Sequence, residues 1–259
     1  MNLLESEWIF MNDIIYRVYN NSDLREMRMQ FLETVRILIP YDMATFYLAD
    51  HESDKVLRDP IGIGLSQEAL QKYIDSYLEI DYAKWVFSSS QSKAYRTTDW
   101  FPYGNREVQP YYKMVYEPKK IHYAVLLPLI HNEEFNGIVC LYRRKESQDF
   151  SDKEIFILDM LKNHLSLRIF REEKEEKQKL ADIIQESVSK LGAMYSLTDR
   201  EQEIILKVLE GKTNQKIIEE LIISENTLKK HLTNIYKKLD ISQRNELLKV
   251  IEDLEAEKG

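Results

Sequence analysis

The sequence predicts an α+β fold for its first 150 residues and helices alone for the rest. Two pairs of short strand patterns each flank a polar turn, which is typical of an antiparallel sheet. Helical periodicity surrounds both pairs, so helices are expected to cover this sheet. After about residue 150 the apolar residues recur at helical spacing only. We therefore divide the chain into a mixed domain at 1–150, a helical connector at 151–192 and a small helical domain at 193–259.

The elements of the mixed domain follow from spacing and turn signals. From Leu24 to Leu38 apolar residues recur every three or four positions, and Pro40 ends this helix because proline cannot continue one. Polar turns at 51–54 and 131–134 separate the members of the two strand pairs. The predicted elements are helix 22–38, strands 43–49 and 55–63, helix 67–78, and strands 121–130 and 135–143.

The connector begins with a capping sequence. Ser151 can accept a bond from the start of the helix and Glu154 can return one, which is a capping box. Apolar residues recur up to Ile169 and again from Leu180 to Leu191, whereas eight of the nine residues at 171–179 are charged. Such a helix is expected to place its apolar ends against another domain or a second subunit. The alternative is a solvated terminal helix of the first domain.

The last segment predicts a helix-turn-helix unit. Thr198, Thr213 and Ser224 stand where helix N-caps are expected, and Gly211 stands where a helix ends. Three short helices separated by three or four residues are typical of this unit. From 226 to 249 there are six basic and two acidic residues, a balance of +4 in a chain of net charge -8. A basic face on an acidic protein favours phosphate contact, although charged helix faces are commonly only solvated.

The residues of this segment resemble the LuxR-type helix-turn-helix over about 196–251. The resemblance is carried by Leu197-Thr198-x-Arg200-Glu201, Gly211-x-Thr213-Asn214, Ser224-x-x-Thr227-Leu228-Lys229 and Lys238-Leu239. One departure is Ile218, where the family often has a small residue.

The resemblance implies a recognition helix from 225 to about 239 in the major groove of double-stranded DNA. By family position, three residues face bases or nearby phosphates, and four hold the DNA backbone. The first group is Lys229, Lys230 and Thr233, and the second is Thr213, Asn214, Thr227 and Lys237.

The mixed domain resembles a GAF domain, a sensory fold, over about 20–170. The resemblance is carried by the strand Val139-Cys140-Leu141-Tyr142-Arg143 and by Asp149-Phe150-Ser151-Asp152 at the start of the exit helix. GAF domains often bind small molecules between the sheet and a variable segment, which here spans about 80–119. The resemblance therefore implies a ligand pocket in that segment.

The variable segment lies in a stretch rich in aromatic residues. From Tyr73 to Tyr123 there are 13 among 51 residues, against 11% for the whole chain. Rigid flat side chains with polar tips suit a pocket for a planar ligand. The alternative is that they form the ordinary core of a loop-rich region. The candidate pocket residues are Tyr82, Trp85, Tyr95, Trp100, Phe101, Tyr111, Tyr112 and Tyr116.

Several classes of function are excluded by what the sequence lacks. No catalytic Ser/His/Asp, Cys/His or carboxylate set stands at a known spacing, so we do not expect an enzyme. Cys140 is the single cysteine, the five histidines show no metal-ligand spacing, and phosphate-binding glycine loops are missing, so no metal or cofactor is expected. No apolar run approaches the ~18 residues of a membrane helix, and no signal peptide is recognised, so the expected location is the cytoplasm.

The sequence thus predicts a transcription regulator that joins a GAF-like sensor to a LuxR-type DNA-binding domain. Its expected partners are double-stranded DNA, a second copy of the chain, and a small-molecule effector of unknown identity. The alternative is a regulator whose first domain binds a protein and no small molecule.

Overall fold

The computed structural model describes residues 2–101, 105–247 and 249–251. They form two compact units, Met1–Glu173 and Lys174–Gly259. The boundary between the units falls inside the predicted connector at 151–192, and the end of the predicted third domain at 259 lies outside the described residues. The assignment of sensor, connector and DNA-binding roles to the three predicted segments stays a prediction.

The first unit is built on a five-stranded antiparallel sheet, which confirms the predicted α+β class. The strands lie in the order β2-β1-β5-β4-β3. The elements are α1 (Glu5–Asn20), α2 (Leu24–Val35), β1 (Met43–Ala49), β2 (Leu57–Ile63), α3 (Gln67–Lys72), β3 (Tyr95–Arg96), α4 (Thr97–Trp100), β4 (Ile121–His131), β5 (Glu134–Arg144) and the start of α5 (Asp152–Tyr195). The sequence did not indicate β3, because two residues are too few to show an alternation.

The sheet is buried on both faces, and its alternating residues divide between two cores. Phe46 and Leu141 point to the first face, where α1, α2 and the beginning of α5 pack as an aliphatic layer. Tyr47 and Cys140 point to the second face, which is covered by the chain between β2 and β4. The predicted aromatic segment therefore lies against the sheet, as a GAF-like fold requires.

The layer on the second face has an irregular backbone. The predicted helix 67–78 is α-helical only over Gln67–Lys72 and continues as a π-helix at Tyr73–Tyr77 and a 3-10 turn at Leu78–Ile80. A second π-helix lies at Tyr112–Tyr116. Short π-helical segments change which side chains face inward and are frequent at functional sites.

The start of α5 has the predicted capping box. The backbone N–H of Ser151 donates to Glu154 Oε2 at 2.7 Å, and Ser151 Oγ accepts from the backbone N–H of Glu154 at 3.3 Å. Glu154 is also paired with Arg143 of β5. This end of the helix is thus attached to the sheet directly.

The second unit contains three capped helices, as predicted, together with the end of α5. They are α6 (Asp199–Leu209), α7 (Asn214–Leu221) and α8 (Glu225–Leu239). Thr198, Thr213 and Ser224 accept the expected capping bonds, and Gly211 follows α6 with φ +73°. Val188 and Leu191 of α5 are buried in the same core as these helices, so one apolar end of the predicted connector packs inside this unit.

An ion pair between a buried carboxylate and a partly exposed lysine joins the first and last of these three helices. Lys238 Nζ donates to Glu201 Oε2 at 2.6 Å and to the carbonyl of Ser196 at 2.8 Å. Burial raises the pKa of Glu201, but the hydrogen bonds from Lys238 and Thr198 outweigh it, and the net shift is downward. The pair holds α8 against α6 and leaves the outer side of α8 exposed to solvent.

The middle of α5 has no packing partner within the second unit. Every residue from 174 to 183 is exposed, including Leu180 and Ile183. Of the predicted apolar stretch from Leu180 to Leu191, Leu180 is therefore exposed, whereas Val188 and Leu191 are buried. No helix among the described residues is both long and apolar enough to cross a membrane.

The turn between α7 and α8 contains a residue in an unfavourable conformation. Ile222 has φ 53° and ψ 51°, the left-handed region, and its side chain is 91% exposed. A β-branched residue rarely adopts this conformation, which costs a non-glycine residue about 1–2 kcal/mol. The side chain gains no packing in return.

We expect Ile222→Gly to raise the free energy of unfolding by about 1 kcal/mol, because glycine adopts positive φ freely and loses part of this gain to its flexible unfolded state. Urea unfolding followed by circular dichroism measures the change. Ile222→Ala is the control, since it removes the exposed apolar side chain but keeps a Cβ. An equal gain in both variants would contradict the backbone explanation.

Candidate functional site

The outer side of α8 carries the residues predicted to face DNA. Lys229, Lys230, Thr233 and Lys237, here called the recognition face, are all exposed. They lie within one arc of the helix, on the side away from the buried Leu228, Ile235 and Leu239. Thr233 Oγ1 donates to the carbonyl of Lys229 at 2.9 Å, so its hydroxyl proton is already used within the helix.

Five of the six basic residues at 226–249 divide into two groups. Lys238 pairs with Glu201, and Arg244 donates to Asn214, so both serve the fold of the unit. Lys229, Lys230 and Lys237 form no ion pair within the described part of the chain. These three lysines are the charges available for phosphates or base edges.

The N-termini of α7 and α8 supply further donors on exposed backbone. Thr213 Oγ1 accepts from the backbone N–H of Lys216 at 3.3 Å, and Ser224 Oγ accepts from that of Thr227 at 3.1 Å. Thr227 Oγ1 lies 2.7 Å from Ser224 Oγ. The remaining N–H groups of each first turn are suited to bind phosphate.

Arg244 was not among the predicted DNA-binding residues, yet it orients one of them. Its Nη1 donates to Asn214 Oδ1 at 2.9 Å, and its other terminal nitrogen donates to the carbonyl of Lys212. The guanidinium therefore holds the start of α7 in place. The basic character of Arg244 was visible in the sequence, but its partners were not.

The structure brings all eight predicted pocket residues together beside the second face of the sheet. We call them the aromatic site. Tyr82 is its centre, with ring centroids 4.8 Å from Phe101, 5.5 Å from Tyr111 and 6.3 Å from Trp100. Trp85, 45% exposed, lies at the edge with its ring 5.1 Å from those of Tyr95 and Trp100. The other contacts are Tyr82–Tyr116, Tyr111–Tyr116 and Tyr112–Tyr116.

Asp81 is a functional candidate that the sequence analysis missed. Its carboxylate accepts hydrogen bonds from the Tyr73 hydroxyl at 2.7 Å and from the backbone N–H of Ala83 at 2.8 Å. Burial raises the pKa of Asp81 to about 6, against the lowering effect of these bonds and of Tyr111. A buried carboxyl beside aromatic rings is the kind of group that orients a ligand.

Arg106 is the second candidate that the sequence analysis missed. Its side chain is fully buried, and its guanidinium carbon lies 5.6 Å from the centre of the Tyr112 ring. Its Nη1 donates to Thr97 Oγ1 at 3.1 Å. Charged residues are common in loops, so the sequence gives no reason to single out Arg106. Its burial among aromatic rings becomes visible only in the folded chain.

The lone thiol and one of the histidines are buried in the first unit. Cys140 is buried in β5, and burial raises its pKa to about 12, so it is a packed, unreactive thiol. Within the described ranges, no three His, Cys, Asp or Glu side chains cluster as metal ligands. His122 lies under the aromatic site, where burial and the charge of Arg106 lower its pKa.

Comparison with known proteins identifies the second unit. Residues 195–251 match the family model GerE, described as bacterial regulatory proteins of the luxR family. These residues are a LuxR-family helix-turn-helix domain. The departure at Ile218 leaves the LuxR-type domain intact, since this side chain packs at the edge of its core.

Curated relatives match only a short part of this chain. The transcriptional regulatory protein LiaR of Bacillus subtilis is 55% identical over 51 residues, 20% of this chain and 24% of that protein. The response regulator protein TmoT of Ectopseudomonas mendocina is 44% identical over 68 residues, 26% of this chain and 31% of that protein. The chain thus spans less than a third of the length of either relative.

Solved structures with a similar fold cover larger parts of this chain. Escherichia coli SdiA matches with a TM-score of 0.53 and 16% identity, over 94% of this chain and 95% of that one. The GAF domain of a phosphoenolpyruvate-protein phosphotransferase from Coxiella burnetii matches with a TM-score of 0.51 and 16% identity, over 66% of this chain and 96% of that one. At these identities the likeness shows the fold alone, and it confirms that the first unit is GAF-like.

Asp81 gives the first unit a pH-dependent stability. Its pKa is raised in the folded chain from about 4 to about 6, so its contribution is complete below about pH 4 and is lost as the pH rises through about 6. Asp81→Asn imitates the protonated form at every pH. We expect the variant to gain up to about 3 kcal/mol relative to the natural chain between pH 4 and pH 7.

Urea unfolding at these two pH values, followed by tryptophan fluorescence, measures the effect. Asp54→Asn, which changes an exposed carboxylate in a turn of the same unit, is the control and should show no such dependence. A difference between Asp81→Asn and the natural chain that does not vary with pH would contradict the raised pKa.

Proposed function

We propose that the chain is a DNA-binding transcription regulator, without enzymatic activity, whose GAF-like unit binds a small molecule and thereby controls the LuxR-type domain. The DNA-binding part is supported by the recognition face, where three lysines without an ion pair to any described residue lie on a helix whose opposite side is buried. Such a regulator acts where bacterial DNA lies, in the cytoplasm.

In this proposal α8 enters the major groove and the helix N-termini hold the backbone. Lys229 and Lys230 reach base edges or phosphates together with Thr233, while Thr213, Asn214, Thr227 and Lys237 contact the sugar-phosphate chain. Lysine can donate to guanine O6 and N7, but it also neutralises phosphate as a point charge. Arg244 supports the backbone contact by orienting Asn214.

The small-molecule part of the proposal is supported by the aromatic site. Eight rings, a carboxyl and a guanidinium meet beside an otherwise apolar sheet face, which is the composition of a ligand site. SdiA, a protein of similar fold with a TM-score of 0.50 and 17% identity, has been solved in complex with octanoyl-rac-glycerol. A small molecule bound to a protein of similar fold supports the proposal.

We also propose that the regulator acts as a homodimer. Two recognition helices must lie about one DNA turn apart to read adjacent half-sites, and a ligand can favour the arrangement that allows it. Leu180 and Ile183 are exposed apolar residues at 174–183 and are suited to contact a second copy.

A second candidate function is a protein-binding first unit without a small-molecule ligand. Exposed apolar side chains in the segment between β2 and β4 favour it, because Trp85, Val108 and Met114 are large and open to solvent. Polar groups buried inside the site are not explained by a surface contact, so we prefer the small-molecule function.

We expect Lys230→Ala to weaken binding to a duplex selected from random sequence by about 1–3 kcal/mol if this lysine reads a base, and to relax the preference at one position. If it contacts only phosphate, binding weakens for all sequences and the salt dependence falls by about one charge. Fluorescence anisotropy measures both. Lys174→Ala removes the same charge from an exposed site outside the LuxR-type domain and should bind normally. Unchanged affinity of Lys230→Ala would remove it from the interface.

Light scattering tests the dimer. Without DNA we expect a mass of twice the 30.9 kDa of one chain, and with DNA the same mass plus that of the bound duplex. Leu180→Glu should shift the mass toward one chain, because a carboxylate cannot be buried unpaired in an apolar interface. Ile222→Glu is the control, since it adds the same charge at an exposed position elsewhere in the unit. A single-chain mass at every concentration would contradict the proposal.

A further inference from the structure

Arg106 is a buried cation with few partners. Its side chain has no exposed surface, so its charge has lost the stabilisation of water. A guanidinium has five N–H donors, and one hydrogen bond to a described residue, from Nη1 to Thr97 Oγ1, satisfies one of them. Buried charges are normally paired and fully hydrogen-bonded, so this arrangement needs an explanation.

The nearby acid does not complete the set of partners. Glu107 Oε1 lies 3.6 Å from Arg106 Nη2, which is close enough for electrostatic attraction but too far for a hydrogen bond. Arg106 Nε is buried and donates to no residue of the described chain. The described residues therefore offer no hydrogen-bond acceptor to the side of the guanidinium that presents Nε and Nη2.

A second donor in the aromatic site is left in the same state. Trp100 Nε1 is buried and makes no hydrogen bond with the described chain. Indole N–H groups usually find a partner when buried. The site thus holds unused donors on a tryptophan and an arginine, and what they lack is an acceptor.

Arg106 acts electrostatically on the centre of the aromatic site. Its charge lowers the pKa of Tyr82, which burial raises, and it also lowers the pKa of His122. The Tyr112 ring stacks near it at 5.6 Å. The guanidinium is therefore part of the site formed by the rings, and it makes that part of the site electropositive.

We propose that the effector of this chain is an aromatic or other planar carboxylic acid, whose carboxylate pairs with Arg106 while its apolar body lies among the rings. This inference rests on the proposed small-molecule function and specifies its ligand class. A carboxylate has two acceptor oxygens in one plane and matches the unused edge of a guanidinium, with bonds of about 2.7–2.9 Å. Such a pair, removed from water, discriminates strongly against a ligand that lacks the charge.

The experiment compares two probes of the same shape, 2-naphthoate and 2-naphthamide, at neutral pH. The first is an anion and the second is neutral. Quenching of tryptophan fluorescence in the full chain reports binding, because Trp85 and Trp100 line the site and Trp8 lies in α1 as a constant background. We expect the anion to bind at least about tenfold more tightly than the amide, a difference of ~1.4 kcal/mol.

Two variants test whether Arg106 causes the preference. Arg106→Met keeps much of the side-chain volume without the charge and should bind both probes equally. Arg106→Lys keeps the charge but not the planar fork, so it should retain only part of the preference. Circular dichroism confirms that each variant folds, and the comparison of the two probes on the natural chain stands even if Arg106→Met does not.

Each remaining outcome contradicts a defined part of the proposal. Equal binding of both probes to the natural chain overturns the carboxylate ligand but leaves the small-molecule function in place. A preference that persists in Arg106→Met assigns the anion to another residue and overturns the role of Arg106. Absence of binding by either probe at millimolar concentration contradicts the aromatic site as a pocket for planar ligands, and with it the proposed function.

Discussion

Burial of the sheet on both faces is the constraint on which the first unit depends. Successive side chains of a strand point to opposite faces, so each strand must supply two different cores at once. In β1, Phe46 serves the aliphatic core and Tyr47 the aromatic one. A shift of one residue in the pairing with β5 would exchange the two sets. The division places the aliphatic core under α1, α2 and the start of α5 on one face, and the aromatic site with the buried Arg106 on the other.

The LuxR-type domain is under a different constraint, because its three short helices must pack together and still leave the recognition face of α8 exposed to solvent. Its core is small, so capping bonds and the partly buried Glu201–Lys238 pair contribute to fixing the helices. Some basic residues of the domain therefore form hydrogen bonds or ion pairs within it. The local charge of +4 overstates the charge available to DNA, because Lys238 and Arg244 already have partners.

The sequence was informative where a local rule decides the structure. Period-two and helical spacing located β1, β4 and β5 closely, and capping residues located the helices of the second unit. The resemblance to GAF domains led to the aromatic segment. It did not lead to Asp81 or Arg106, because charged residues in a loop are ordinarily solvated. Their importance comes from burial against distant strands, which no spacing along the chain encodes. The π-helices at 73–77 and 112–116 were missed for the same reason.

The exposed stretch of α5 at 174–183 has a consequence for how the chain moves. Most helices owe their stability to packing, and a helical turn without it opens readily. The turns on either side are held by buried residues such as Ile169 and Val188. Backbone amides in the middle of this helix should therefore exchange with solvent deuterium faster than those nearer its ends, so that the helix loosens from its centre outward. The regulation proposed above would depend on the fraction of time for which these central turns of α5 are helical.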